Sequence, residues 1–453
     1  MFKVDELLRA TKGRLISGNA DTVLKGISID SRSIGKQEAF IALKGNNFDG
    51  HDFITRAIKK GASCILCQRL SIRFPSKEIA FIKVKDTTKA LGDIARFQRK
   101  KFDIPVIAVT GSNGKTTTKE MVAWVMSWKF KVLKNIGTKN NHIGLPLTLL
   151  NLDSSYDFAV LELGTNHFGE VSYLAKICLP NIGIITNIGP AHLEYFKNLQ
   201  GVFKEKYTLL KHLHFPHVAI LNADDSLLKR EILRVKNKGI VFGIGIKNGS
   251  DFFASKINNL SGRLEFLVNE KYKFTLNTLG YYNIHNAFVV IALARLFGME
   301  YKDIARRLAA FDFPQGRLKL IKLNKIHFID DTYNANPVSL EQALEVLGNF
   351  RIKGRKIIVM GDMLELGEEK ELFHYKAGQE AARICDIFIG VGKLSKLAAD
   401  AAKTQGFDVS NIFRCKDSLE ARDILFNKIS PGKDDVVLVK GSRLMRMEEV
   451  FKI

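Results

Sequence analysis

The chain has 453 residues, 46% hydrophobic and 26% charged, with 69 Lys and Arg against 47 Asp and Glu, a formal net charge of +22. That length exceeds one hydrophobic core and predicts two or three domains, while no apolar stretch approaches the roughly 20 residues of a membrane helix. The basic excess is spread along the chain, with no Arg/Gly tract and no basic block interleaved with aromatics, so no nucleic-acid partner is expected and an anionic small substrate fits better.

The chain opens Met1-Phe2-Lys3-Val4-Asp5-Glu6, acidic where a secretory signal would be apolar, and a cytoplasmic protein is expected. Residues 1–102 carry short strands and helices around a turn-rich centre, Lys44-Gly45-Asn46-Asn47-Phe48-Asp49-Gly50-His51. Cys64 and Cys67 form a C-x-x-C inside an apolar run, with no second pair to complete a zinc site, so core packing is expected of them. The other cysteines, Cys178, Cys385 and Cys415, are too scattered for a disulfide framework. The charged segment 99–103 is the expected linker to a second domain.

Residues 106–109 are an apolar run followed by Thr110-Gly111-Ser112-Asn113-Gly114-Lys115-Thr116-Thr117 and a helix-compatible stretch. A buried strand, a glycine turn and a helix N-terminus make a phosphate cradle. The glycines let backbone N–H groups approach an anion, the helix dipole favours its charge, and Lys and Thr reach phosphate oxygens and Mg²⁺. The general G-x-x-x-x-G-K-[ST] pattern would place its first glycine at Val109, so this loop is a shortened form that begins at Gly111. It predicts a nucleoside-triphosphate site.

Further buried-strand runs at 158–163, 182–187 and 218–222 predict a mostly parallel sheet, 252–276 a set of antiparallel strands, and 282–297 an amphipathic helix. Glu162 ends one run and His192 lies just past another, both where an α/β sheet binds ligands, so each is a candidate for Mg²⁺. His167 is a weaker candidate of the same kind. Lys206 is indistinguishable by spacing from Lys204 on one helix. His212, His214 and His217 have ligand-like spacing but flank Phe215-Pro216 in an expected loop. Asn283 and Asn286, a helical turn apart, could offer amides to an adenine ring.

From about Pro314 a strand-then-helix alternation predicts a doubly wound unit, with strands at 327–330, 356–360, 386–390, 411–414 and 436–439. It has no phosphate loop of its own and is expected to complete a site formed elsewhere. Arg317 sits in the boundary turn, where an arginine could complement a transferring phosphoryl group. Asp330-Asp331-Thr332-Tyr333-Asn334-Ala335-Asn336-Pro337 follows a strand, where carboxylates can hold ribose hydroxyls.

These segments resemble the Mur ligases, ATP-dependent amide-forming enzymes of cell-wall synthesis, nearly end to end. The matching residues are Asp30-Ser31-Arg32, Ala42-Leu43-Lys44-Gly45, Asp49-Gly50-His51-Asp52, Gly111 to Lys119, Asn140-Asn141-His142-Ile143-Gly144-Leu145-Pro146, Glu162-Leu163-Gly164, Asn283 to Asn286, Phe313 to Leu318 and Asp330 to Pro337. Met360-Gly361-Asp362-Met363-Leu364-Glu365-Leu366-Gly367 with His374, and Val439-Lys440-Gly441-Ser442-Arg443, are most similar to the member that joins D-alanyl-D-alanine to a UDP-linked muramoyl tripeptide.

The resemblance implies an α/β chain of three domains. They are an N-terminal UDP-substrate domain (1–102), a central P-loop ATPase with a mostly parallel sheet (103–313), and a C-terminal Rossmann-like doubly wound domain (314–453). It implies ATP and Mg²⁺ as cofactors and a monomer that makes peptidoglycan precursor in the cytoplasm without entering the membrane. Gly111, Ser112, Asn113, Gly114, Lys115, Thr116 and Thr117 would cradle the phosphates. Thr116 and Glu162 would hold one Mg²⁺, and His192 would help hold a second. Asn283 and Asn286 would face adenine, Asp331 ribose, and Arg317 the phosphates, while Ser31, Arg32 and Asn141 would contact the UDP-linked substrate.

Lys115, Lys206, His192 and Arg317 are the implied catalytic set, and Lys206 matches a lysine that many relatives carbamylate. His142 stands where this member more often has an acidic residue. Folate polyglutamate ligases share the ATPase plan but place the loop near the chain start. A P-loop kinase leaves the C-terminal unit without a task, and a nucleotide-regulated binding module predicts no phosphate release.

Overall fold

The computed structural model describes residues 1–69, 78–237, 239–247, 249–260 and 262–452. Among them the chain builds three α/β units in succession, each on its own sheet. No described helix is long and apolar enough to cross a membrane.

The first sheet has five strands in the order Arg14–Ser17, Ala80–Lys83, Cys64–Cys67, Glu38–Ile41, Gly26–Ser28, parallel except at the Arg14–Ser17 edge. Cys64 and Cys67 lie on its fully buried central strand, and burial pushes the Cys67 thiol up to about 11, so the pair packs the core as inert thiols. The expected charged linker is corrected. Arg99 is buried at the end of the Thr87–Lys100 helix and donates to the carbonyls of Cys178, Phe102 and Ile104, so it clamps the next unit instead of lying in solvent.

The second sheet has nine strands. It is parallel from Val132–Lys134 through Phe158–Glu162, Val106–Thr110, Ile182–Ile185, Val218–Asn222 and Ile240–Gly245 to Phe252–Leu260. Phe252–Leu260 then pairs antiparallel with Arg263–Val268, and that strand with Tyr272–Leu276, as the alternation at 252–276 predicts. Order reverses beside the central strand Val106–Thr110, which opens a crevice at its C-terminal end.

The helix expected at 282–297 forms over Asn283–Leu296, but its amphipathic character does not hold. Ile284 and every residue from Asn286 to Ala294 are buried, because the helix packs on the strands Val218–Asn222, Ile240–Gly245 and Phe252–Leu260 and is flanked by the helices Lys115–Met126 and Tyr301–Ala309. A helix apolar all round belongs to the core of a large domain, not to its surface.

The third sheet orders Lys319–Leu323, Ile326–Asp331, Val436–Lys440, Lys356–Gly361, Ile387–Val391 and Ile412–Cys415, with only the Lys319–Leu323 edge antiparallel. Its last strand enters at the middle, between the first and second parallel strands. The C-terminal strand ends at Asp331, Lys440 and Gly361 therefore lie side by side, and Asp331 and Lys440 face the crevice of the second sheet.

Candidate active site

The loop after Val106–Thr110 is held open by its own neighbours. Gly111 has φ 145°, and a Cβ there would fall 1.9 Å from the Thr186 hydroxyl; Gly114 has φ 81°, and its Cβ would meet the Asn286 amide oxygen at 2.8 Å. Both positions therefore require glycine. Ser112 N–H donates to Asn187 O (3.0 Å), Asn113 N–H to Asn187 Oδ1 (2.9 Å), and the Ser112 hydroxyl to Gly189 O (2.9 Å). Gly114 caps the Lys115–Met126 helix with no side chain, so the first-turn N–H groups have no acceptor from it. Together these make an anion cradle at a helix N-terminus.

Lys115 Nζ donates to Gly111 O (2.8 Å) and Ser112 O (3.2 Å). Burial lowers its pKa, nearby Glu162 opposes that shift, and Arg317 adds to it. Thr116 and Thr117 are buried in the first helical turn. Glu162 is buried at the end of Phe158–Glu162; its Oε1 accepts from Asn140 Nδ2 (2.8 Å), while Oε2 is buried with no hydrogen-bond partner among the described residues. An orphaned carboxylate oxygen beside a threonine hydroxyl and a phosphate cradle fits a hard divalent cation, which takes one or two protein oxygens and completes its shell from phosphate and water.

His192 has φ 53° and lies on the wall of the same cavity. Its Nδ1 is hydrogen-bonded to Glu365 of the third unit, a bond that holds the Glu365 carboxyl below its usual range. The opposite wall is built on the third sheet. Arg317 lies over the Tyr333 ring at 3.9 Å, which fixes the plane of its guanidinium. Asp331 accepts from Leu318 N–H (3.2 Å) and from Lys440 Nζ, and burial raises its pKa against the pull of Lys440. The Asn113 and Asn336 side-chain amides pair across the cleft at 2.7 and 3.3 Å. These walls enclose a cavity of about 610 Å³.

The structure thus brings Ser112, Asn113, Gly114, Lys115, Thr116, Thr117, Glu162, His192, Arg317, Asp331 and Asn141 to one cavity, with exposed His142 at its rim. Asn283 and Asn286 are placed differently. They lie buried beneath the loop, Asn283 donating to the Thr278 hydroxyl (2.8 Å), Asn286 to Asn283 (2.9 Å), and Thr118 to Asn286 (2.9 Å). Lys206 is buried behind the wall, and its ammonium makes no hydrogen bond or ion pair with a described residue. Burial lowers its pKa well below the usual range, Lys115 lowers it further and Glu205 opposes; Lys204, which spacing could not separate from it, is exposed.

Ser31 and Arg32 belong to the first unit, away from this wall. Arg32 forms a bidentate pair with Asp30 at 2.8 and 3.0 Å. His167 packs against the Tyr195 ring at a tilt of 44° and does not line the cavity. His212 bonds the Ser172 hydroxyl at 2.8 Å, and the described residues contain no cluster of three or more His, Cys, Asp or Glu fit for a metal. The sequence offers no role for Asn140, Lys440 or Glu365, because each acts on a residue far away in the chain.

A shortened phosphate loop and an acidic strand end, closed over by the strand ends of a second doubly wound sheet, define a P-loop nucleotide-dependent enzyme that assembles its site between domains. Residues 23–99 match the family described as Mur ligase family, catalytic domain; residues 109–294 match Mur ligase middle domain; residues 316–443 match Mur ligase, glutamate ligase domain. The chain belongs to the Mur ligase family.

It is 34% identical to UDP-N-acetylmuramoyl-tripeptide–D-alanyl-D-alanine ligase of Bacillus subtilis, covering 99% of this chain and 97% of that one. Among solved structures, MurF from Acinetobacter baumannii superposes with a TM-score of 0.90 at 32% identity, covering 100% of this chain and 98% of that one. MurF from Thermotoga maritima, solved with ADP, superposes with a TM-score of 0.84 at 28% identity, covering 95% and 97%.

Proposed function

We propose that this chain joins D-alanyl-D-alanine to the C-terminal carboxylate of a UDP-N-acetylmuramoyl-tripeptide at the expense of ATP, in peptidoglycan precursor synthesis. The observation that carries the reading is the buried, unpartnered Oε2 of Glu162 at the floor of a phosphate cradle whose roof is the third unit. A carboxylate is a poor acylating agent. Its oxygen attacks the γ-phosphorus of ATP, ADP departs, and an acyl phosphate remains. The amine of D-alanyl-D-alanine then attacks the acyl carbon, the tetrahedral intermediate collapses, and phosphate leaves as the amide forms.

Each residue has a part that its position supports. The loop N–H groups and Lys115 hold the β- and γ-phosphates, and Arg317, braced on Tyr333, spreads the charge of the transferring phosphoryl group. Asp331, aligned by Lys440, faces the ribose. Asn283 and Asn286 act from beneath, shaping the loop through Thr118 and Gly114. Thr116 and Glu162 would hold Mg²⁺, with a second ion at His192. Bound there, the metal neutralises phosphate charge and polarises the transferring group.

Burial lowers the Lys206 pKa, which favours the neutral amine, the form that reacts with CO₂ to give a carbamate and a proton. The Asn113–Asn336 amide pair closes the cleft and keeps water from the acyl phosphate. Ser31, Arg32 and Asn141 serve the UDP-linked substrate, and residues 1–102, 103–313 and 314–453 act as the three working domains of a monomer.

Phosphate release from Mg-ATP tests the reading, with nucleotide precursors ending in a dipeptide or a tripeptide and with a diamino acid or D-alanyl-D-alanine as amine. Release only with tripeptide plus D-alanyl-D-alanine is expected, with a product heavier by that dipeptide less water. Release with dipeptide plus diamino acid moves the chain one step earlier in the same synthesis. Silence in all four mixtures with ATP still bound refutes the ligase reading.

A further inference from the structure

Glu365 follows the strand Lys356–Gly361 of the third sheet, yet its carboxylate bonds Nδ1 of His192 in the second unit, 173 residues earlier. A backbone bond runs beside it, from Glu194 N–H to Glu365 O at 3.2 Å. Glu365 has φ 62° and His192 φ 53°, so two non-glycine residues in the left-handed region face each other across the cleft. Such conformations are sterically unfavourable for side-chain-bearing residues and persist where the surroundings over-determine them, as they do at functional sites.

The segment that carries Glu365 is anchored at the two residues just before it. Met363 N–H donates to Nε2 of the buried His374 (2.9 Å) and Leu364 N–H to the Ser442 hydroxyl (2.8 Å). An ionised carboxylate can only accept hydrogen bonds, so Nδ1 of His192 is the donor in this pair, which leaves Nε2 as the ring nitrogen available to a cation.

We propose that Glu365 is a positioning residue for His192: it fixes Nε2 as the ring's donor atom, so that the second divalent-cation position is complete only when the C-terminal unit is docked on the central one. The proposal rests on the reading of His192 as a metal ligand. It makes domain closure and metal-site assembly one event, because the carboxylate that selects the tautomer travels with the closing unit. Outer-shell carboxylates on metal-ligating histidines act in this way, and their removal weakens metal binding about 10–100-fold.

The test uses the full chain labelled with ¹⁵N-histidine. Long-range ¹H–¹⁵N correlations on metal-free protein report which His192 nitrogen is protonated, and Mn²⁺ titration followed by EPR, with a non-hydrolysable ATP analogue present, reports two affinities. Glu365→Ala is expected to lose the Nδ1–H tautomer and to weaken the second Mn²⁺ about 10–100-fold with the first unchanged. Glu365→Gln keeps an accepting oxygen and is expected to restore both readouts to near wild type. In a His192→Ala background, Glu365→Ala should change nothing further.

If Glu365→Ala keeps tautomer and affinities, the proposal is wrong. It is equally wrong if Glu365→Gln weakens Mn²⁺ as much as Glu365→Ala, since the carboxylate would then be a ligand itself. If His192→Ala leaves both Mn²⁺ affinities intact, the underlying ligand reading fails, and the two failures are thereby told apart.

Discussion

Lys440→Met isolates the buried pair that aligns the ribose-facing acid. The Lys440 ammonium, almost wholly buried, donates to Asp331 Oδ2 and to Asn334 O at 3.0 Å. Methionine fills the same space without charge, so the loss is electrostatic. Asp331 would keep the Leu318 N–H bond at 3.2 Å and the neighbouring Arg317, but no buried cation in contact. Removing one member of a buried pair costs about 3–5 kcal/mol, and the residual partners place the expected value near the lower end, about 3 kcal/mol.

The pH dependence has a definite sign. Burial already raises the Asp331 pKa above its unfolded value, and loss of the ammonium raises it further. The folded variant then binds more protons than the unfolded chain, so its stability falls as pH rises through the folded pKa. Amide exchange in the strands Ile326–Asp331 and Val436–Lys440 measures the local free energy without assuming that three units unfold together. The deficit should be smallest in acid and largest at neutral pH, and Lys440→Met with Asp331→Leu should recover most of it. A neutral-pH deficit below about 1 kcal/mol, or one indifferent to pH, would refute the account of a charge stranded in the core.

Three further outcomes follow from the site. Glu162→Gln keeps an oxygen for Asn140 but puts an amide where the orphaned Oε2 sits; acyl-phosphate formation should fall about 10²–10³-fold, with a raised Mg²⁺ requirement in ADP-release assays. In bicarbonate-free buffer, where Lys206 is the unmodified amine, Lys206→Met should raise stability by about 0.5–2 kcal/mol, and it should abolish turnover in any buffer.

The wild-type Lys206 pKa is lowered on folding, so the unfolded chain binds more protons and wild-type stability rises with pH between the two pKa values. The methionine variant should lose that slope, and ¹³C-bicarbonate NMR should show a carbamate signal in wild type alone. Gly114→Ala forces a Cβ to 2.8 Å from an Asn286 oxygen already tied to Thr118, at φ 81°; ATP binding by calorimetry should fall at least tenfold, and near-wild-type affinity would mean the loop is not the rigid cradle described.

The phosphate loop was legible in the sequence because its chemistry is local. The strand, the glycines, the lysine and the threonine lie within a dozen residues, and left-handed backbone at Gly111 and Gly114 excludes any side chain. Apolar runs likewise exposed the parallel strands, since a strand buried on both faces is written as continuous Val, Ile and Leu. Periodicity failed on Asn283–Leu296, where the pattern promised one wet face and the structure buries nearly all of it; how many layers cover a helix is a property of its neighbours.

What tertiary structure decided is pairing over distance. Lys206 and Lys204 are equivalent by spacing, yet packing sets one beside Lys115 in the core and leaves the other in water. Asp331 meets Lys440, and His192 meets Glu365, across 109 and 173 residues. Such contacts carry no sequence period, because they are fixed by the order of strands in two sheets and by how those sheets face each other. The sequence determined which groups could bind a triphosphate. The fold determined which of them are desolvated together, and in a low-dielectric cleft that sets their charge and their chemistry.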